Sequence, residues 1–208
     1  PLYKFLQHNR KAATVFNNAM SAYSGIEADA IVRAYDFSRA NKIVDVGGGE
    51  GRLVSALVNA NPNARGVVFD LPILEKDASD SSLQDSRIEY LYGDFFEGVP
   101  RGGDVYILKS VLHNWDDASC IKILQNCRAA MKTNWRLLIV ERIISAGNEK
   151  SEAKLFDINM LVVTGGQERT VEEYRNLFYE GGFTLTKTVT TDSALSLIEG
   201  VARANISN

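Results

Sequence analysis

Five short apolar runs punctuate this chain, at Lys42–Val46, Gly66–Leu71, Ile88–Leu91, Val105–Leu108 and Leu137–Val140. Between them, apolar residues recur at helical spacing. Continuous apolar runs of this length, separated by amphipathic stretches, predict parallel strands buried on both faces by helices. Ahead of the first run, residues 1–36 read as helical, with apolar positions at Leu2, Phe5, Leu6, Val15, Phe16, Ala19 and Met20. After the last, Phe183–Val189 alternates and is rich in Thr, and a second apolar stretch follows at Ala194–Val201. That pair predicts a closing antiparallel hairpin. The expected fold is α/β and doubly wound, a mostly parallel sheet with helices on both faces. Residues 1–36 would pack as N-terminal helices on a main unit of residues 37–208.

The helices carry start and stop signals. Leu53, Leu57 and Ala60 form one stripe, ended by Asn61-Pro62 because the residue before proline avoids the helical region. Asp116 or Asp117 is placed to cap a helix whose stripe is Cys120, Leu124, Cys127 and Met131. Thr170 with Glu173 three residues later makes a capping box, and Gly181-Gly182 closes that helix.

Bulk composition narrows the partners. The 208 residues suit one good-sized domain, and 45% hydrophobic with 24% charged residues is ordinary for a soluble globular protein. A net charge of -3 gives no electrostatic reason to expect nucleic acid or an anionic membrane. No apolar run approaches the ~20 residues that span a bilayer, and no signal peptide is visible. Cys120 and Cys127 lie on one helical face with no metal-ligand spacing, and read as small buried residues in a reducing cytoplasm. The chain opens at Pro1 without an initiator Met, as a piece of a longer protein would.

The strongest chemical signal is Asp45-Val46-Gly47-Gly48-Gly49-Glu50-Gly51, between a strand and a helix. Glycines there let the backbone turn sharply beside a ligand, and helix N–H groups then face it. The spacing is Asp-x-Gly-x-Gly-x-Gly, not the G-x-G-x-x-G of a dinucleotide site, and the phosphate-loop Gly-Lys-Ser/Thr is absent. Asp70 ends the second strand, where an acid would grip a ribose diol, or would simply cap a loop. Asp94 follows the third strand, in reach of an adenine amino group, with Phe95 offering an apolar face. All these points share the carboxyl edge of the sheet, where open α/β folds bind ligands.

There are two histidines. His8 has no chemical context and reads as solvated surface. His113 lies just past the fourth strand in Lys109-Ser110-Val111-Leu112-His113-Asn114-Trp115, on the same edge as the glycine loop. A phenol has a pKa near 10 and imidazole about 6.5, so a positioned imidazole can take the proton from an attacking phenol. A carboxylate on the other ring nitrogen would fix the tautomer. Glu141, ending the fifth strand, and Glu168, after Gly165-Gly166, are candidates, though either equally suits a cap or a salt bridge.

Together these residues resemble the plant caffeic-acid-type and hydroxyindole-type O-methyltransferases and their bacterial natural-product relatives. The resemblance covers nearly the whole chain and rests on Asp45–Gly51, Phe69-Asp70-Leu71-Pro72, Gly93–Phe96, the run from Leu112 to Arg128 and Gly165-Gly166-Gln167-Glu168-Arg169-Thr170. It implies a Rossmann-like methyltransferase fold with a seven-stranded sheet, S-adenosylmethionine as cofactor, S-adenosylhomocysteine as product and no metal. It implies His113 as general base flanked by Glu141 and Glu168. Ser24, Asp45, Gly47, Gly49, Asp70, Leu71, Asp94, Phe95 and Lys109 would then hold the cofactor. Phe16, Met20, Trp115 and Met160 would line the acceptor pocket. Unaided, Phe16, Met20 and Met160 read as helix core, and no cluster in the sequence reads as metal ligands.

The acceptor implied is a phenolic or enolic hydroxyl on a small aromatic or polyketide-like metabolite. Such enzymes carry an N-terminal dimerisation domain that is missing from this stretch, so a cytoplasmic homodimer is expected of the full-length protein. Two positions depart from the family. Thr133-Asn134-Trp135 replaces a Pro-Gly-Gly turn. Val163 stands where plant relatives often have a polar residue, favouring a more apolar acceptor. Alternatives are a cofactor-binding fragment inactive without the missing domain, or a relative redirected to other chemistry assisted by the same cofactor. Retention of His113 with both acids argues against redirection.

Overall fold

The computed structural model describes residues 2–72, 85–131 and 135–204; Thr133 and Asn134 of the unusual turn lie outside the described residues. The strands are β1 (Lys42–Val46), β2 (Arg65–Asp70), β3 (Ile88–Tyr92), β4 (Val105–Lys109), β5 (Arg136–Glu141), β6 (Phe183–Thr190) and β7 (Ser196–Ala202). The helices are α1 (Leu2–Gln7), α2 (Arg10–Ala34), α3 (Arg52–Ala60), α4 (Asp117–Ala130), α5 (Glu152–Val163) and α6 (Val171–Glu180), with a one-turn 3-10 helix at Leu112–Asn114. The strands form one sheet in the order β3-β2-β1-β4-β5-β7-β6. The first five pair in parallel, and β7 joins β5 and β6 antiparallel. The sheet and hairpin are those the sequence predicts.

Strand alternation explains why the runs are apolar throughout. Val44, Val46, Tyr106, Leu108, Leu137 and Ile139 face one core with α4 and α6. Their neighbours Ile43, Val105, Ile107, Leu138 and Val140 face a second core with α2 and α3. With both faces covered, no position on the central strands is left for a polar residue except at the ends. Those ends converge on one edge, because parallel strands all finish on the same side.

The helix signals hold with one correction. Asp116 is the cap, accepting from the Ser119 N–H at 2.8 Å, and Cys120, Leu124, Cys127 and Met131 are buried. In α3, however, Ala60 is exposed, and Val54 and Val58 are buried beside Leu53 and Leu57. The sheet's twist brings β2 and β3 against that second row, since Val54 and Val58 pack with Val68. At α6 the capping box is complete: the Thr170 hydroxyl accepts from the Glu173 N–H at 3.3 Å, and Glu173 accepts from the Thr170 N–H at 2.7 Å. Thr170→Ala is therefore expected to cost about 1 kcal/mol in urea unfolding. An unchanged midpoint would show that the cap contributes nothing.

The long α2 starts at Asn9, whose side chain accepts from the Ala12 N–H at 3.1 Å. Its second half enters the core through Ala28 and Ile31. Val15, Tyr23 and Ile26 stay exposed on its outer side, as do Leu155, Ile158, Leu161 and Val162 on α5. Among the described residues no helix is long and apolar enough to cross a membrane.

Candidate active site

The turn after β1 is built by backbone conformations that side chains avoid. Gly47, Gly49 and Gly51 have φ of 75°, 57° and 79°. The Gly47 N–H donates to the Phe69 carbonyl at 2.8 Å, which folds the loop over the end of β2. Asp70 braces it: one carboxylate oxygen accepts from the Gly49 N–H at 2.8 Å and the other from the Leu71 N–H at 2.7 Å. Burial raises the Asp70 pKa, and these two amides work against that. Asp45 lies beneath the loop. It is buried, its Oδ1 has no hydrogen-bond partner, and burial pushes its carboxyl up to about 7 against the pull of Lys109.

The next stretch of the edge is aromatic. Phe95 and Phe96 meet Trp115 edge-on, with ring centroids 6.2 and 4.8 Å away. Asn126 of α4 pins that loop by donating to the carbonyls of Phe95 at 2.7 Å and Phe96 at 2.8 Å. Asp94 stands two residues beyond β3; it is exposed and accepts from the Phe96 N–H at 2.8 Å. At the end of β4, Lys109 pairs with Glu27 of α2 at 2.9 Å. Ser24, one turn earlier on α2, is half-buried.

His113 sits on a turn that begins with strain. Ser110 has φ 54°, a left-handed conformation rare outside glycine. The one-turn helix that follows exposes successive N–H groups, and a single oxygen collects them. Glu141 Oε1 accepts from Val111 and Leu112 at 3.0 Å each and from His113 at 3.3 Å. Asn114 closes the turn by donating to the carbonyls of Ser110 at 3.1 Å and Val111 at 3.2 Å. The His113 imidazole turns Nδ1 to both acids: 3.0 Å to Glu168 Oε1 and 3.1 Å to Glu141 Oε2. One N–H can point at only one acceptor, and the hydrogen bond goes to Glu168. Both carboxyls are buried, so their charge is little screened.

The titrations follow from this packing. Burial alone would lower the His113 pKa, but Glu141 and Glu168 more than offset it, and the imidazole sits above its ordinary 6.5. Burial raises the Glu141 pKa, Glu168 raises it further, and His113, the turn amides and Lys109 oppose the rise.

Placement corrects two sequence expectations. Met160 is buried, but Phe16 is only half-buried and Met20 is 43% exposed, so the last two are not helix core. They lie in the first half of α2, ahead of the Ala28–Ile31 stretch that enters the core. The second correction concerns metal ligands. His113, Glu141 and Glu168 bring a ring nitrogen and carboxylate oxygens within 4.8 Å of one another, a spacing that can ring an ion. Yet one Glu141 oxygen already serves three amides and Nδ1 is bonded to Glu168, an arrangement suited to a proton.

The O-methyltransferase domain family matches residues 1–184. This chain belongs to that family. It is 42% identical over 201 residues to a phenazine O-methyltransferase of Lysobacter antibioticus, covering 95% of this chain and 59% of that protein. The solved structure of a mitomycin 7-O-methyltransferase superposes with a TM-score of 0.90 at 35% identity, covering 98% of this chain and 60% of the other. A neocarzinostatin-biosynthesis O-methyltransferase, solved with S-adenosylmethionine and 2-hydroxy-5-methyl naphthoic acid, superposes at 0.85 with 31% identity over 96% of this chain and 60% of its own. The chain thus spans about three fifths of the proteins it matches. S-adenosylmethionine is the cofactor of this O-methyltransferase family.

Several residues of this candidate site were not singled out from the sequence. Glu27, Asn114 and Asn126 become site supports only through contacts made across the fold. Gly166 and Arg169 were visible as letters of a motif, but nothing in it announced a close approach or a buried guanidinium.

Proposed function

We propose that this chain is the cofactor-binding and catalytic part of an enzyme that methylates a phenolic or enolic hydroxyl of a small aromatic or polyketide-like metabolite. The observation that carries this reading is the His113 imidazole, held at Nδ1 by two buried carboxyls beside a glycine loop. The residues fit S-adenosylmethionine. The loop turns on three left-handed glycines, Asp70 is already aimed at the loop, and the aromatic wall of Phe95 and Trp115 offers a face for a purine. When bound, that cofactor supplies a methyl group on a sulfonium centre, an electrophile for an attacking oxygen. Gly47, Gly49, Asp45, Leu71, Lys109 and Ser24 would hold it with Asp70, Asp94 and Phe95. Phe16, Met20, Trp115 and Met160 would line the acceptor side.

The chain's own part is proton management. With Nδ1 engaged by Glu168, Nε2 is the nitrogen left for the acceptor hydroxyl. His113 takes the hydroxyl proton there, and the imidazolium so formed gains two carboxylates as neighbours. It returns the proton to water after transfer. Residues 37–208 carry this machinery, and residues 1–36 pack on it.

The test is transfer of labelled methyl to a panel of phenols, hydroxyphenazines and hydroxynaphthoates. No transfer to any of them by the whole protein would sink the reading. A second reading, a donor-binding part that turns over only with the rest of the protein, is favoured by the three-fifths coverage. Activity restricted to a longer protein would select it. Homodimerisation of the whole protein is part of the same proposal, supported by the exposed apolar sides of α2 and α5. Cytoplasmic residence is supported by the free, buried Cys120 and Cys127.

Cofactor binding has its own expected result. Asp70→Ala removes charge-assisted bonds to the loop and to a ribose. Calorimetry with S-adenosylhomocysteine should then read a loss of roughly 1–3 kcal/mol. Wild-type affinity would show that Asp70 does not serve the cofactor.

A further inference from the structure

Arg169 is fully buried, a rare place for a guanidinium. Its five N–H donors all have acceptors. Nε and Nη2 donate to Asp117 Oδ1 at 3.0 and 2.7 Å, and Nη2 also to the Trp115 carbonyl at 2.9 Å. Nη1 donates to the Leu112 carbonyl at 3.2 Å and to the Gln167 carbonyl at 3.4 Å. Leu112 and Trp115 bracket His113 in sequence, and Gln167 precedes Glu168. The guanidinium therefore ties the turn that carries the imidazole to the segment that carries its hydrogen-bonded acid. Two further contacts lie along the same seam: the Gln167 N–H donates to the His113 carbonyl at 2.9 Å, and the Arg169 carbonyl accepts from the Ile144 N–H at 3.0 Å.

We propose that Arg169 is a positioning residue: by clasping the Leu112–Trp115 turn, it sets the reach between Glu168 and His113. The proposal rests on the reading of His113 as the base, and it uses Arg for a physical reason. A planar fork of five donors can address three carbonyls and a carboxylate at once, whereas an ammonium has three donors and no fixed plane. Since Arg169 is fully buried and its five N–H groups are all taken by protein acceptors, its effect passes through the His113–Glu168 contact.

That contact has a direct readout. The charged and titratable groups around His113 and its acids include Glu141 from β5, Arg142 just beyond it, Lys109 from β4, Cys120 from α4, Asp157 from α5, Glu168, Arg169 itself and Tyr174 from α6. Burial pulls the imidazole titration down, and the two acids hold it up. If Glu168 drifts away, burial is less opposed and the titration midpoint falls. A role confined to stability would not lower the midpoint of the folded protein, and loss of the buried guanidinium charge alone would raise it.

The experiment is a pH titration of histidine-labelled protein by imidazole NMR, with S-adenosylhomocysteine present. The sequence has two histidines, so His113→Gln assigns the signals. Arg169→Met is expected to lower the His113 midpoint, and Arg169→Lys to restore part of it. On whichever acceptor of the panel is methylated, Arg169→Met should lose about 10²-fold in kcat with little change in KM for S-adenosylmethionine, the effect of a misplaced reacting group. A folded Arg169→Met with a wild-type midpoint overturns the proposal. If that variant does not fold, an unchanged midpoint in Arg169→Lys overturns it instead. Failure of the base reading shows elsewhere, as normal turnover in His113→Gln.

Discussion

His113→Gln is expected to lower kcat by about 10²-fold or more while S-adenosylhomocysteine binds as in the wild type. The split follows from the geometry. Nδ1 is spent on Glu168 at 3.0 Å, which leaves Nε2 for the acceptor hydroxyl in the proposed reaction, while the proposed cofactor contacts lie on other residues. Glutamine keeps a polar group there but cannot accept a proton near neutral pH. The wild-type rate should also carry an acid limb. Only neutral imidazole can act as base, so turnover rises as pH climbs through the His113 titration and is lost below it. Because the acids raise that titration above 6.5, the limb lies on the alkaline side of an ordinary histidine. Added chelator should leave turnover unchanged. Near-normal turnover in His113→Gln, or a rate independent of pH across that range, would place the base elsewhere.

Gly166→Ala is expected to cost nearly as much, although the residue bears no chemistry. A Cβ at Gly166 would lie 2.0 Å from the His113 carbonyl oxygen and 2.6 Å from the Asn114 carbonyl carbon. Both are backbone atoms inside a bonded turn, so neither can swing aside. The segment must lift, and Glu168 lifts with it. Overpacking of this kind costs about 1–3 kcal/mol of stability, and a displacement near 1 Å at a catalytic contact costs about 10²-fold in rate. Gly165→Ala is the control. Its φ of 81° strains any side chain, but a Cβ there meets nothing within 4 Å. It should lose some stability in urea and keep most of its turnover. Equal activity of Gly166→Ala and wild type would mean that the 166–169 segment does not set the site.

Much of this was legible in the sequence, for reasons that are local. Short apolar runs set between amphipathic stretches mark Lys42–Val46 and Leu137–Val140 as buried strands without reference to partners. The hairpin, the capping box at Thr170 and the glycine loop at Gly47–Gly51 are equally short-range. Because parallel strands all end on one edge, placing Asp45, Asp70, Lys109, His113 and Glu141 at or just past strand ends was enough to predict that they share a surface. The resemblance to O-methyltransferases rested on those same stretches, and the family match bears it out.

What the sequence left open was every question that depends on a distance between elements. It offered Glu141 and Glu168 as partners or as ordinary caps. The fold makes Glu141 both, one oxygen gathering the turn's amides and the other facing the imidazole. It could not say that Met20 would be exposed while Met160 is buried, because helical spacing is the same for both and only tertiary packing separates them. Nor could it tell the buried Arg169 from any surface arginine. Burial of that charge becomes affordable only when three carbonyls and Asp117 surround it, and those groups come from two separate stretches of chain, 112–117 and the segment at Gln167. Composition and period are properties of neighbours in sequence. The reach of an acid to a base is fixed by chain segments far apart in sequence, and only tertiary packing brings them together.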